Sequence, residues 1–165
     1  MLEMFLKLDP HALAEFLNSD PSKLESELES SEYKDQISLS QLLDLQKELR
    51  ELFIDLLESD DPKRARQILS SKLQKFEHGV EIDPETKEVY TVLHAEGVLN
   101  DFWLRLITDF LYDGLGWTGK LGRCLNCGLF FAKRKAKQRF CREKCRYEYR
   151  DSRKKARRVK VWRGS

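Results

Sequence analysis

Cysteine is missing from the first 123 of the 165 residues of this chain, so no disulfide framework can staple most of it. Long apolar runs are missing too. Nothing approaches the ~18 consecutive apolar residues of a membrane-spanning helix, which excludes one. The start, MLEMFLKLDP, lacks the basic n-region and long apolar stretch of a secretory signal, and the expected location is the cytoplasm, with nucleoid association a further expectation. There is no metal-hydrolase helix motif, nucleophile elbow or complete phosphate loop. His11, His78 and His94 are scattered, with no nucleophile visible beside them, and no enzyme is expected.

Acidic residues are almost missing from the end of the chain. From Lys120 to Ser165 there are 3 acidic residues against 18 basic, whereas the first 119 residues hold 25 acidic against 12 basic. The formal net charge of +2 therefore averages a part at −13 with a part at +15. Such asymmetry points to a polyanion-facing tail on an acidic body.

The body, residues 1–119, reads as mostly helical. Asp9 is placed to cap a helix over HALAEFLN, with Pro10 in its first turn. PSKLESELESSEYKDQ reads as short helix or loop. From Ser40, the residues Leu42, Leu45, Leu49, Leu52, Phe53 and Leu56 recur at three- and four-residue steps, which predicts a long amphipathic helix ending near Glu58. Asp61 and Pro62 predict the start of the next helix and Gly79 its end, with His78 at that C-terminus. A β-hairpin near residues 80–93 follows, turning at Asp-Pro-Glu-Thr, and then a helix from Val98 that stops at Asp113-Gly114.

Gly114-Leu-Gly-Trp-Thr-Gly119-Lys120 imitates a nucleotide-binding loop. It has a helix before it where a strand is needed, and Leu121 stands where a phosphate loop has Ser or Thr, so it reads as a hinge. The tail, residues 120–165, holds all four cysteines. Cys124 and Cys127 form a Cys-x-x-Cys followed by Gly128, a tight knuckle whose thiolates converge; Cys141 and Cys145 follow after 13 intervening residues, one helical turn apart. Residues 129–131 and 138–140 read as short strands joined by AKRKAK. Knuckle, hairpin and helix N-terminus are the parts of a treble-clef-like finger around one structural Zn2+, and four thiolates leave no open position for catalysis. The fold class is α+β, mostly α: a helical domain with an inserted β-hairpin, then this small finger and a long basic C-terminal helix.

The stretch CLNCGLFFAKRKAKQRFCREKCRYEYRDSRKKARR, preceded by a helical body with a hairpin, resembles the CGNR-type zinc-finger proteins, which couple an ABATE domain to a C-terminal four-cysteine finger. The finger carries the resemblance over about 40 residues; the body matches in element order only. Membership implies a bacterial DNA-binding transcriptional regulator with a structural zinc. Where the family's name motif has Cys-Gly-Asn-Arg, this chain reads Cys145-Arg146-Tyr147-Glu148, so the ligand carries over and roles of the other three residues do not.

From Cys141 to Val161 no Pro or Gly interrupts a helix. At about 100° per residue, Arg142, Arg146, Arg150, Arg153, Arg157 and Lys160 share a stripe about 80° wide, with Lys154 and Arg158 adding charge. Like charges three and four apart repel, and a polyanion would offset that through phosphate contacts and counterion release. These residues are the candidate nucleic-acid contacts. DNA is the expected partner, with RNA or a protein bound by an adaptor finger as the alternatives. Homodimerisation and docking of the stripe on the protein's own acidic body are further expectations; a membrane partner is not expected.

Overall fold

The computed structural model of the chain describes residues 8–113 and 116–162, and the side chains of these apart from residues 78, 89–92, 112, 113 and 157–162. Helix α1 (Pro10–Asn18) starts where expected: the Asp9 carboxylate accepts the Ala12 N–H at 2.8 Å, and Pro10 needs no donor there. The serine- and glutamate-rich stretch folds as a second helix, α2 (Pro21–Glu29), by the same Asp-Pro device, with Asp20 accepting from Lys23 N–H. Helix α3 (Leu39–Glu58) opens with a capping box in which Ser38 and Gln41 satisfy each other's backbone N–H groups. Its Leu42, Leu45, Leu49, Leu52 and Phe53 are buried, so the leucine stripe is the core face.

Helices α1 and α2 lie against α3, and α3 also closes the open carbonyl end of α1. The buried Gln46 amide donates to Phe16 O at 2.6 Å and Ser19 O at 2.9 Å, and Arg50 Nε donates to Leu17 O at 2.6 Å. Polar groups that would be costly without partners are paired across elements, which fixes α1 on α3.

Helix α4 (Lys63–Leu73) departs from expectation at both ends. Pro62 occupies the cap position without a side-chain bond, and Asp61 is drawn to Arg66 and Lys63 instead. Asp55 of α3 takes over the cap, accepting the Ala65 N–H at 2.9 Å. At the other end the helix stops at Leu73, because Phe76 turns into the core and is buried. Gly79 and His78 therefore belong to strand β1 (Glu77–Ile82), not to a helix end. Strand β1 pairs antiparallel with β2 (Val89–His94), with Glu77 opposite His94 and Ile82 opposite Val89. At their turn the Asp83 carboxylate accepts from Thr86 and Glu85 N–H, which holds it below the usual carboxylate range.

Helix α5 (Val98–Asp113) buries Phe102, Trp103, Leu106 and Ile107. The expected hinge is no hinge where it is described. Gly116–Lys120 is a short helix, α6, and its Trp117 is 1% exposed, against Phe53 at a ring distance of 5.8 Å. The chain then enters β3 (Leu121–Arg123), which pairs antiparallel with β4 (Phe130–Ala132). Leu121 and Phe130 belong to the body's apolar cluster. Helix α7 (Glu143–Trp162) completes the described chain. The described residues are mostly helical, with two two-stranded sheets, and no helix among them is long and apolar enough to cross a membrane.

Candidate metal centre

The knuckle is built at the tip of the β3–β4 hairpin. Gly128 N–H donates to Cys124 O and Cys124 N–H to Leu129 O, both at 2.9 Å, closing a tight turn around the first cysteine pair. Gly128 has φ +73°, a left-handed conformation that other residues adopt only at a cost, so the glycine after Cys127 is required by the backbone. Gly122 is required by packing: a Cβ there would stand 2.7 Å from Lys133 Cε and 2.9 Å from Phe131 Cζ, its cross-strand neighbour.

The hairpin partner differs from expectation. Residues 138–140 are not a strand; β4 pairs with β3 instead, because Leu121 anchors β3 in the body core while Gln138 folds its amide over its own segment. Helix α7 begins two residues later than expected. Cys141 precedes it and Cys145 sits in its first turns. Their sulfurs nevertheless meet at 3.6 Å, and Cys127 Sγ lies 3.7 Å from Cys141 Sγ.

All four sulfurs lie within 4.8 Å of one another. A tetrahedron with metal–sulfur bonds of about 2.3 Å has edges of about 3.8 Å, so the observed separations fit one zinc-sized ion. A disulfide would need about 2.05 Å, and all four cysteines are free. The charge environment fits a cation as well. Burial opposes ionisation of Cys124, but N–H groups of Cys127, Cys141 and Asn126 directed at its sulfur prevail and bring the thiol down to about 6. Burial pushes Cys141 up to about 12, reinforced by its bonds to the Cys145, Cys124 and Cys127 sulfurs. Sulfurs this close cannot all be thiolates unless a cation lies among them.

Arg142 joins this centre. Its guanidinium is held above its ordinary value by the nearby Cys145 and then Cys141 sulfurs. Two braces, unforeseen in the sequence, tie the knuckle to the body. Arg123 Nε donates to Gly128 O at 3.0 Å while its Nη1 meets Glu58 at the end of α3 at 2.5 Å. Asn18 of α1 donates to Phe130 O at 2.8 Å and accepts from Phe130 N–H at 3.0 Å. Partners 112 residues apart leave no local signal.

Beyond the centre, the Phe140 and Tyr149 rings pack at 5.4 Å beneath α7. Arg146, Arg150, Arg153 and Lys154 are exposed on α7; Arg146 lies 5.4 Å over the Tyr147 ring and Arg153 5.8 Å over that of Tyr149. The side chains of Arg157, Arg158 and Lys160 lie outside the described residues. Among the described residues no ion pair joins a cation of α7 to a carboxylate of the body. Compared with known proteins, the chain matches no family model and no curated relative, so the resemblance noted in the sequence rests on the layout of its four cysteines and the basic segment behind them.

Proposed function

We propose that this chain is a zinc-dependent nucleic-acid-binding protein without catalytic activity: a DNA-binding regulator of the CGNR type, bacterial and cytoplasmic, whose acidic body serves sensing or partner binding. Cys124, Cys127, Cys141 and Cys145 hold one structural zinc in a treble-clef-like finger. The ion supplies a rigid joint; its four thiolate ligands leave no position open for substrate. That joint fixes the start of α7 against the hairpin and so orients a long basic helix.

One observation carries the reading. In the body Lys23, Arg64, Arg66, Lys72 and Arg105 each hold a carboxylate. On α7, Arg146, Arg150, Arg153 and Lys154 are exposed without one among the described residues. Cations left unneutralised beside a protein's own acidic surface are available to an external polyanion. The exposed Tyr147, 51% accessible beneath Arg146, favours RNA as the second reading, since such a ring can stack on an unpaired base. Substituting Arg146, Arg150 and Arg153 by Ala together is expected to flatten the slope of log affinity against log salt by roughly three units or slightly fewer, measured with duplex DNA. An unaltered slope contradicts the reading, and preferential binding of single-stranded RNA in competition selects the second.

A further inference from the structure

Opposite the cations of α7 stands a second group. An open groove of about 1080 Å³ runs between α1, β4 and the first turn of α7. Phe130, Phe131 and Phe140 line it, the first two buried, so its floor is apolar and closed. The connection from 133 to 139, an arm between β4 and the second cysteine pair, lines it with Arg134, Lys135, Lys137 and Arg139; Arg142 and Arg146 line it as well. Two carboxylates reach the groove. Glu15 is engaged by Lys23 at 2.6 Å, and Glu143 stands beside Arg142. The four arm cations are exposed and hold no carboxylate among the described residues.

The arm is set in place by its own bonds. Gln138 is the staple: its Oε1 accepts from Arg134 N–H, its Nε2 donates to Phe140 O and its N–H to Lys135 O, each at 2.9 Å. Leu125 N–H of the knuckle donates to Arg139 O at 3.1 Å, and Lys133 is bound through N–H and Nζ to Lys120 O and Thr118 O. Like charges along the arm repel, and a backbone already set in place lowers the ordering cost of binding an anionic chain. A rigid cationic arm facing the start of a cationic helix across an apolar floor matches a chain of regularly spaced negative charges.

The geometry points to the arm as a second nucleic-acid contact: Arg134, Lys135, Lys137 and Arg139 face Arg142 and Arg146 across a groove that takes one sugar–phosphate strand of duplex DNA beside α7. This rests on the reading of α7 as a nucleic-acid contact. Duplex DNA is the occupant because a helix enters the wide major groove of B-form DNA, and the flanking phosphates then run alongside its first turn. The major groove of duplex RNA is too deep and narrow for that helix.

The test uses the full, zinc-loaded chain and a fluorescent duplex DNA, followed by anisotropy over a salt series. Arg134→Ala, Lys135→Ala and Lys137→Ala combined should lower the salt slope by about two to three units, since each phosphate that is no longer neutralised removes about 0.9. Arg150→Ala with Arg153→Ala should lower it by about two units or slightly fewer on the same basis. An unchanged slope for the arm variant, with a reduced slope for the α7 variant, overturns the arm and leaves the reading of α7 standing. Failure of the unsubstituted protein to bind overturns both. Acetylation of lysines in the unsubstituted protein, read by mass spectrometry, needs no variant to fold: DNA should shield Lys135 and Lys137, and their full reactivity while Lys154 is shielded overturns the proposal. Equal or tighter binding to duplex RNA of the same sequence overturns the choice of DNA.

Discussion

The body and the tail solve the same stability problem with different materials. The body buries an extended apolar cluster running from Ala12 through the leucines of α3 to Trp117, and its Arg64, Lys72 and Arg105 are paired with its own carboxylates. The tail's separate cluster consists of Cys124, Phe131 and Cys145, with Phe140 and Cys141 at its edge. Three of those five residues are candidate metal ligands. A unit with so little apolar surface to bury would draw most of its folding free energy from a metal ion held by those sulfurs. The seam is an exception, since Leu121 and Phe130 insert tail residues into the body's core. Charge and cohesion are therefore divided between the regions: one buries an extended apolar core, and the other gathers four cysteines where a metal ion could bind.

Four perturbations test that division, in decreasing order of effect. Cys141→Ser should abolish zinc binding and unfold the tail while most helical circular dichroism persists; metal sites of this kind contribute on the order of 10 kcal/mol or more. A zinc stoichiometry still at one would break the comparison. Leu49→Ala does the converse. It opens the body core at a fully buried site and should cost about 2–5 kcal/mol in denaturant unfolding, with zinc content unchanged below the transition. Asn18→Ala removes both bonds to Phe130 at the seam and should cost about 1–3 kcal/mol, appearing as looser protection of the β4 amides in hydrogen exchange. Glu58→Gln weakens the half-exposed pair with Arg123 and should change stability by less than about 1 kcal/mol. A larger effect there would mean that electrostatics, not packing, holds the two regions together.

What the sequence discloses is local. Asp9-Pro10 and the stripe from Leu42 to Phe53 carry their reasons within a few residues, and the structure has them where expected. The four cysteines are similar: their spacing marks them as one group, the knuckle around the first pair closes through its own backbone bonds, and all four sulfurs come together. The misreadings arise where a distant element competes with a local signal. Asp61 loses the cap of α4 to Asp55, Gly79 is passed by once Phe76 turns inward, and Trp117 makes a core element of an apparent glycine hinge. The strand expected at 129–131 forms at Phe130–Ala132 and finds its partner in β3, not in 138–140, because Leu121 is anchored by a core invisible to pattern reading. The braces by Asn18 and Arg123 have no sequence signal at all.

Metal content and duplex DNA binding, measured on the same preparation before and after exhaustive chelation, test the central claim most directly. The account predicts one zinc per chain and salt-sensitive binding, both lost on chelation and both restored by added zinc. Binding that survives complete removal of metal, or a purified protein that holds none, would contradict it.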